Sequence, residues 1–245
     1  MCGRYVIISS PELIRQLLGY LDQPNFPPRY NVAPTQPVPV VRIKQGQRQF
    51  VLLRWGLIPS WVKDPREFTL LINARGETVN AKPAFRNAMK RRRCLLPADG
   101  FYEWKGERGA KQPYFVRRKD RAPFAFAGLW ESWIGPNGEE MESTAIVTTQ
   151  ASPAIMPIHD RMPVILGPDQ FERWLDCAQV DETAAATLIA PIADEEIEAF
   201  EVSSAVNRVA NDAPDLIAPV CVAAPEPAPA KRQRKKTDRR QRSLF

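Results

Sequence analysis

The β-like apolar segments of this chain are short, and this feature restricts the available folds more than any other. Each segment spans four to eight residues and is bounded by Gly, Pro or Asn, which is typical of strands that end at turns. Together with 24 prolines, they predict an α+β domain of mostly antiparallel strands and argue against a doubly wound βαβ arrangement. The predicted strands lie at residues 38–43, 49–55, 94–97, 113–117, 123–130, 144–149 and 163–166.

Three segments predict helices. The first runs from Pro11 to Leu21: Ser10 can cap it, Pro11 suits the first helical position, and its apolar side chains recur on one face. A shorter helix is predicted at 83–91 and a third at 168–176. The residues predicted to form the apolar faces of the first and third helices are Leu13, Ile14, Leu17, Leu18, Leu21, Phe171, Trp174 and Leu175.

The composition of the 245 residues excludes several classes of protein. No apolar run approaches the ~20 residues of a membrane helix, so we expect neither membrane association nor a leader segment. The four cysteines form no CxxC pair, which argues against a zinc ribbon or a disulfide scaffold and favours a reducing cytoplasm. Neither GxGxxG nor GxxxxGK(S/T) occurs, so no nucleotide cofactor is predicted, and we expect no other cofactor and no metal.

Charge is strongly polarised along the chain. Residues 1–122 carry 23 Lys and Arg against 9 acidic residues, residues 123–222 carry 3 against 17, and residues 223–245 carry 8 against 2. Such asymmetry often accompanies a polyanion-binding face, so nucleic acid is a candidate partner. The Pro/Ala-rich and basic segment 223–245 cannot bury enough apolar surface to order itself. We predict one domain over 1–222 and a disordered tail that either solubilises the protein or, as we favour, adds non-specific affinity for DNA.

The start of the chain, MCGRY, carries the most distinctive chemistry. The small residue after Met1 favours removal of that methionine, which would leave Cys2 with a free α-amine and a thiol on adjacent carbons. Both groups are partly deprotonated near neutral pH, and a nearby cation such as Arg4 would lower the thiol pKa further. This aminothiol captures aldehydes: the amine forms an imine, and the thiol closes a five-membered thiazolidine in an intramolecular step. Taken alone, a cysteine at position 2 is often accidental.

Three further residues are candidates for the same chemistry. His159 is the only histidine and lies in a loop between two prolines, where its role is either structural or proton transfer. Glu103 lies in the aromatic segment GFYEW, either as a desolvated carboxyl with a raised pKa or as a surface residue of an alternating strand. Asn73 cannot titrate, so its plausible role is to hold a substrate or the Cys2 amine by hydrogen bonds.

Eight segments, in order from residue 2 to about residue 222, resemble the SOS response-associated peptidase (SRAP) family. The ordered set is far more specific than any one of its members. The tail, residues 223–245, lies outside the resemblance. The segments are MCGRY, RYNVAPTQ (29–36), RWGLIPSW (54–61), LINARGET (71–78), CLLPADGFYEW (94–104), AIVTTQAS (145–152), IHDRMPVIL (158–166) and VSSAVNRVANDAPDLIAPV (202–220).

The resemblance implies a β-rich, barrel-like fold and a sensor of abasic sites in single-stranded DNA that shields them by covalent crosslinking. The family's N-terminal cysteine corresponds to Cys2, which would form a thiazolidine with the ring-opened sugar. By resemblance, Asn73 orients the Cys2 amine and His159 assists opening of the sugar ring. Glu103 would act as acid and base during imine formation, ring closure and reversal of the crosslink. The family is also proposed to remove its own Met1 or propeptide, which we interpret as maturation.

DNA binding requires phosphate-binding groups and surfaces on which bases stack. We expect mostly phosphate contacts, with an affinity that falls steeply as salt rises. A basic run at a helix end is usually solvated, and Trp55 is as compatible with a core position as with stacking. By resemblance, the phosphate candidates are Arg4, Arg75 and Arg161, with Asn31 and Thr35 nearby; the stacking candidates are Trp55 and Trp104; and the weaker candidates are Arg86 and the run Lys90–Arg93.

Three other functions remain open. An N-terminal-nucleophile hydrolase such as a class II glutamine amidotransferase also begins with Cys-Gly, but this interpretation leaves the segments around Asn73, Glu103 and His159 unexplained. A non-catalytic DNA-binding module would bind reversibly without Cys2. A protease acting on other proteins would use Cys2 and His159 as a dyad. Partners beyond single-stranded DNA, such as the replication machinery, stay open, and a monomer is the default expectation.

Overall fold

The structure of the chain, a computed structural model, describes residues 2–107 and 109–220. The domain boundary predicted at residue 222 and the predicted tail lie outside the described residues. The strands are β1 (Arg4–Ile7), β2 (Arg29–Val32), β3 (Pro37–Lys44), β4 (Gln47–Trp55), β5 (Asn73–Arg75), β6 (Arg93–Ala98), β7 (Gly100–Lys105), β8 (Gln112–Arg118), β9 (Phe124–Ile134), β10 (Glu140–Gln150), β11 (Arg161–Pro163), β12 (Ile165–Leu166) and β13 (Ile197–Glu201). The α-helices are α1 (Pro11–Leu18), α2 (Arg86–Arg91), α3 (Pro168–Leu175) and α4 (Glu182–Ala186).

Five strands close on themselves to form a small barrel. Around it, β10 pairs with β4, β4 with β3, β3 with β6, β6 with β9, and β9 again with β10. The short strands β5 and β11 pair with β10, and β12 pairs with β9. The β-rich, barrel-like fold with few short helices is therefore confirmed.

A second sheet of five antiparallel strands, in the order β13-β8-β7-β1-β2, packs against the barrel. One face of this sheet contributes Tyr5 and Phe101 to a core that it shares with Trp55 and Phe126 of the barrel. The Tyr5 and Trp55 rings meet edge to face, with centroids 5.4 Å apart. Because β1 lies in this shared core, the residues directly before it lie where the two sheets meet.

The first predicted helix is present but shorter than expected. Ser10 caps its start, since its side chain accepts a hydrogen bond from the Leu13 N–H. The helix ends at Leu18 rather than Leu21, because Gly19 adopts the left-handed conformation (φ 66°) that caps a helix C-terminus. Leu21, beyond this end, and Leu13, within the helix, are both exposed, so the predicted apolar face is too wide.

The second and third predicted helices are also present. α2 begins at Arg86 rather than at residue 83, and α3 ends at Leu175, one residue earlier than predicted. In the part of the chain that the structure describes, no helix combines the length and apolarity needed to span a membrane.

The predicted strands all occur, and two departures from the expected pattern help to build the site. β10 pairs in parallel with β4 and β5, and these pairings are exceptions to the mostly antiparallel arrangement that the sequence predicts. The segment predicted as one strand at 163–166 is divided into β11 and β12. The division falls at Val164, whose N–H donates to Val147 of β10 and whose carbonyl accepts from Ala127 of β9, so the chain crosses from one strand to the other there.

Candidate active site

Cys2 lies directly before β1, where the two sheets meet, and its side chain is fully buried. β1 pairs with β7 so that Arg4 lies opposite Tyr102. The next residues of β7, Glu103 and Trp104, therefore lie beside the segment that carries Cys2. The Cys2 thiol is 3.8 Å from the carbonyl oxygen of Arg4, to which it donates a weak hydrogen bond.

The thiol of Cys2 is held in its protonated form. Burial, and then the nearby Glu103 carboxylate, raise its pKa. The prediction that Arg4 lowers this pKa is therefore wrong, because the Arg4 guanidinium donates instead to Asn31 Oδ1 (2.7 Å) and to the Val206 carbonyl (2.9 Å). A thiol in such an environment becomes a nucleophile only when a base removes its proton.

The Glu103 carboxyl, which acts electrostatically on the Cys2 thiol, has the properties of such a base. Its side chain lies in β7 and is buried, and desolvation raises its pKa to about 7. Of the two environments that the sequence left open, the desolvated carboxyl is confirmed. Near neutral pH the group is divided between its acid and base forms, which suits a residue that both gives and takes a proton.

We expect the Glu103 carboxyl to make the protein less stable as the pH rises. In the unfolded chain it loses its proton near its ordinary pKa of 4.5, whereas the folded protein retains the proton until about pH 7. Between these values the folded state binds more protons, so its stability falls with rising pH, by roughly 3 kcal/mol in total. Urea unfolding of Glu103→Gln and wild type at both ends of this range measures the difference. An identical pH dependence of the two proteins would contradict the assignment.

Asn73 connects the Cys2 segment to the barrel. It begins β5, which pairs with β10 so that Asn73 lies opposite Ile146. Its Nδ2 donates a hydrogen bond of 2.9 Å to the carbonyl of Cys2. Its Oδ1 is buried and has no hydrogen-bond partner among the described residues. Because an unpaired buried acceptor costs about 1–3 kcal/mol, this position favours an incoming N–H or O–H donor.

His159 lies in the loop before β11, as predicted. Its Nδ1 accepts a hydrogen bond of 3.0 Å from the Arg161 backbone N–H, and Asp160 Oδ1 lies 2.9 Å from the same atom. The first contact requires a Nδ1 without a hydrogen, and the second requires a hydrogen on Nδ1. Partial burial lowers the pKa of His159, which favours the neutral ring, and the two contacts correspond to its two tautomers. Lys111 acts electrostatically on both His159 and Glu103, which places the two in the same region.

Asn31 is a structural residue in this fold, which corrects the prediction that it contacts DNA. Its side chain is fully buried. Its Nδ2 donates to the carbonyls of Val206, Arg208 and Asn211, and its Oδ1 accepts from Arg4. The amide therefore has no capacity left for a phosphate. Instead, Asn31 fixes the loop that follows β13 beside Arg4.

The two tryptophans of the segment RWGLIPSW have opposite environments. Trp55 is fully buried, and its Nε1 donates to the carbonyl of Ile72. The prediction that it stacks on a base is wrong, since its ring belongs to the core. Trp61 is 56% exposed and lines a cleft of about 510 Å³. Sequence reasoning missed Trp61, for which the only signal was a second indole in the same segment.

The cleft that Trp61 lines adjoins the Cys2 segment, because Asn73 lies in its wall. It is mostly apolar and carries two cations, a combination that suits a nucleobase with a neighbouring phosphate. The residues that form the apolar wall and supply the cations include Leu70, Ile72, Pro83, Phe85, Arg75 and Lys82.

The side chains of the other predicted DNA contacts differ in their exposure to solvent. Arg75 and Arg86 are exposed, whereas Arg161 is mostly buried and pairs with Glu77 through both terminal nitrogens. Thr35 is exposed, with its backbone in the left-handed region (φ 74°), which is rare for a β-branched residue. Trp104 is partly exposed.

The basic run Lys90–Arg93 is only in part a solvated helix end. Lys90 and Arg91 are exposed, and Arg92 pairs with Glu131 at 3.0 Å. Arg93 is fully buried, which corrects its assignment as a candidate DNA contact. Within residues 2–107 and 109–220, no group of three or more His, Cys, Asp and Glu side chains is arranged to hold a metal ion.

Comparisons with known proteins agree with the resemblance. Residues 1–209 match the family model of the SOS response associated peptidase (SRAP). The chain is similar to the abasic site processing protein YoqW of Bacillus subtilis, with 39% identity over 221 residues that cover 89% of this chain and 99% of that protein. It is also similar to the abasic site processing protein HMCES of Gallus gallus, with 33% identity in an alignment that covers 92% of this chain and 80% of that protein.

Solved structures share the fold. A protein of Bacteroides thetaiotaomicron has a TM-score of 0.77 and 26% identity, covering 89% of this chain and 99% of the other. A phage-related protein of Bordetella bronchiseptica has a TM-score of 0.66 and 33% identity, covering 82% and 94%. With the family model matched over most of its length, this chain belongs to the SOS response associated peptidase family.

Proposed function

We propose that this protein processes abasic sites in single-stranded DNA by forming a covalent crosslink through Cys2. The family and the relatives named abasic site processing proteins support the choice of substrate. The observation that carries the chemistry is the Asn73 side chain. It holds the Cys2 carbonyl through Nδ2 and keeps a buried, unpaired Oδ1. Removal of Met1 would create an amine on Cys2 that can donate to this oxygen.

The proposed reaction begins once Met1 has been removed, by the protein itself or by an aminopeptidase. The Cys2 amine adds to the C1′ aldehyde of the ring-opened sugar, and loss of one water gives an imine. The thiol then adds to the imine carbon, so that a C–S bond forms and the nitrogen gains the thiol proton. Aminothiol and aldehyde thus become thiazolidine and water, without any oxidant. Closure of the ring is intramolecular, which gives it a large rate advantage.

Glu103 and His159 move protons in this scheme. The raised pKa of the Cys2 thiol requires a base, and Glu103, with its pKa of about 7, can accept the thiol proton and return it to the nitrogen. The same steps run backwards when the crosslink reverses. His159 would accept the proton of the C1′ hydroxyl on Nε2 and return it to O4′ as the C1′–O4′ bond breaks, in the neutral tautomer whose Nδ1 hydrogen is donated to Asp160 Oδ1.

The DNA strand in this proposal follows the cleft beside Asn73. Trp61 offers an exposed ring for a base, and the exposed Arg75 and Arg86 offer charges for phosphates. Arg4, Arg161, Thr35 and Trp104 complete the proposed binding surface around Cys2. An abasic position has no base to unstack, so its sugar reaches the buried thiol at low cost.

Replacing Trp61 with Ala should weaken binding to single-stranded DNA by about fivefold or more, because stacking contributes about 1–3 kcal/mol per base. Fluorescence anisotropy with a labelled oligonucleotide measures the loss. Ile134→Ala is a matched control, since Ile134 is also an exposed apolar residue, 64% accessible, but lies outside the cleft. Equal affinities of Trp61→Ala and wild type would exclude a stacking role for this ring.

The decisive test combines a denaturing gel with the intact mass of the protein after reaction with an abasic single-stranded oligonucleotide. We expect a shifted band without borohydride, from protein that lacks Met1, with the mass of protein plus DNA minus one water. A band that requires borohydride would mean that the imine forms but the ring does not close. If Met1-free protein binds the oligonucleotide without any covalent product, the reversible DNA-binding module replaces the proposal.

A further inference from the structure

Arg161 is held by a carboxylate on the surface that the proposed function assigns to DNA. Its Nη1 donates to Glu77 Oε1 at 2.9 Å and its Nη2 to Glu77 Oε2 at 3.0 Å, which is the bidentate geometry that a phosphate would also adopt. Nη2 also donates to the backbone carbonyl and the hydroxyl of Thr148. The Arg161 side chain is 12% exposed, and its Nε is buried without a partner among the described residues.

Glu77 is placed against Arg161 by the backbone. It follows Arg75, which lies opposite Thr148 in the pairing of β5 with β10. Gly76 then packs so tightly that a Cβ there would lie 2.3 Å from Ile189 Cγ2 and 3.2 Å from the Thr148 carbonyl oxygen. Since only glycine fits this approach, the turn that carries Glu77 stays against β10, and the carboxylate is presented to the guanidinium.

We propose that Glu77 competes with DNA phosphate for Arg161 and thereby limits how tightly the protein holds any single strand. The inference rests on the proposed function, in which Arg161 is a phosphate contact. A phosphate can make the same bidentate contact with the Nη1–Nη2 edge of Arg161 only by displacing Glu77, because this carboxylate accepts from both terminal nitrogens. Glu77 is 46% exposed, so the released carboxylate can be hydrated in place. Binding of a phosphate thus exchanges one anion for another. The binding free energy of this contact is therefore smaller than that of a phosphate on an arginine without a carboxylate partner.

The competition gives Glu77 a role in discrimination. Undamaged DNA relies on phosphate and stacking contacts alone, and a weakened phosphate contact lets it dissociate. An abasic strand is retained by the covalent bond of the proposed reaction, which does not depend on this contact. Glu77 would therefore reduce occupancy by undamaged DNA more than final capture of the lesion.

The test is the affinity of Glu77→Gln for undamaged single-stranded DNA, measured by fluorescence anisotropy with the full chain. Gln keeps the size of the side chain but removes its charge, so we expect binding about fivefold tighter than wild type. Thermal unfolding should show equal or slightly lower stability. Glu67→Gln is the matched control for the loss of one charge: Glu67 is exposed, makes no ion pair with any described residue, and lies in the loop between Trp61 and Leu70 of the cleft.

A double-mutant cycle shows whether the effect passes through Arg161. In an Arg161→Gln background, Glu77→Gln should no longer tighten binding. Weaker binding by Glu77→Gln would mean that Glu77 positions Arg161 for DNA, and an equal gain from Glu67→Gln would mean a general charge effect; either result overturns the proposal. This binding test uses DNA without an aldehyde, so its result does not depend on crosslinking. A failure of the proposed function would appear instead in the crosslinking gel, whose result does not depend on the affinity of Glu77→Gln for undamaged DNA.

Discussion

Replacing Cys2 with Ala should abolish the stable crosslink to abasic DNA while leaving DNA affinity largely intact. After Met1 is removed, the variant still has an α-amine and can form an imine, but it has no thiol to close the ring. Without this intramolecular closure, we expect the yield of borohydride-independent crosslink to fall by about 10³-fold or more. Addition of borohydride should restore a band by reducing the imine. Denaturing gels with and without borohydride measure both effects.

Cys177→Ala is the matched control for this experiment. Cys177 is a free, partly exposed thiol two residues after the end of α3, and its loss should leave the crosslink unchanged. Binding of the Cys2→Ala variant to an oligonucleotide with a non-aldehyde abasic analogue reports its remaining affinity. If Cys2→Ala forms the crosslink like wild type without borohydride, Cys2 is not the nucleophile and the mechanism is wrong.

The parts of the site that the sequence predicts best are those whose chemistry is local. For Glu103, the aromatic segment GFYEW makes a desolvated carboxyl one of two possibilities, and the structure confirms that one, since the side chain is buried and its pKa is raised. Likewise, the two prolines around His159 exclude a regular helix there. The catalytic roles proposed for Cys2, Asn73, Glu103 and His159 rest on the family resemblance and the geometry.

The sequence predicts less well where the environment of a side chain depends on distant parts of the chain. Trp55 and Trp61 lie six positions apart in one segment, yet Trp55 is covered by Tyr5 of the other sheet and Trp61 is open to the cleft. The Asn31 side-chain amide donates to carbonyls of a loop that lies about 175 residues away in sequence. The burial of Trp55 and of Asn31 does not follow from the local sequence pattern, because the residues that cover them come from distant parts of the chain.

The same limit applies to the fold. The longer strands are visible as apolar runs, but β5 has only three residues and forms because the long strand β10 offers it a parallel edge. This parallel pairing places the Asn73 side chain within hydrogen-bond distance of the Cys2 carbonyl. Short strands and turns predict antiparallel pairs between successive strands, whereas β5 and β10 are far apart in sequence.

Arg93 illustrates why a basic run cannot be assigned to the surface from sequence alone. α2 and α3 both end next to it, and the last carbonyls of a helix have no partner within the helix. Its Nε donates to the Trp174 carbonyl at 2.6 Å and its Nη1 to the Met89 carbonyl at 2.9 Å. Its Nη2 donates to the carbonyls of Asp176 and Val180. One buried cation thus joins the C-terminal ends of two helices, where positive charge is favourable.

Replacing Arg93 with Met should lower the free energy of unfolding by about 3–5 kcal/mol, the largest stability change that we predict for this chain. Met fills much of the same volume but removes a charged donor from four carbonyls, of which those of Trp174 and Met89 are in buried hydrogen bonds. Urea unfolding followed by tryptophan fluorescence measures the loss. Arg91→Met is the matched control, because Arg91 is two positions earlier, carries the same charge and is exposed; its removal should cost less than about 0.5 kcal/mol. Equal losses in the two variants would show that Arg93 contributes only charge, and that the helix ends are held by other contacts.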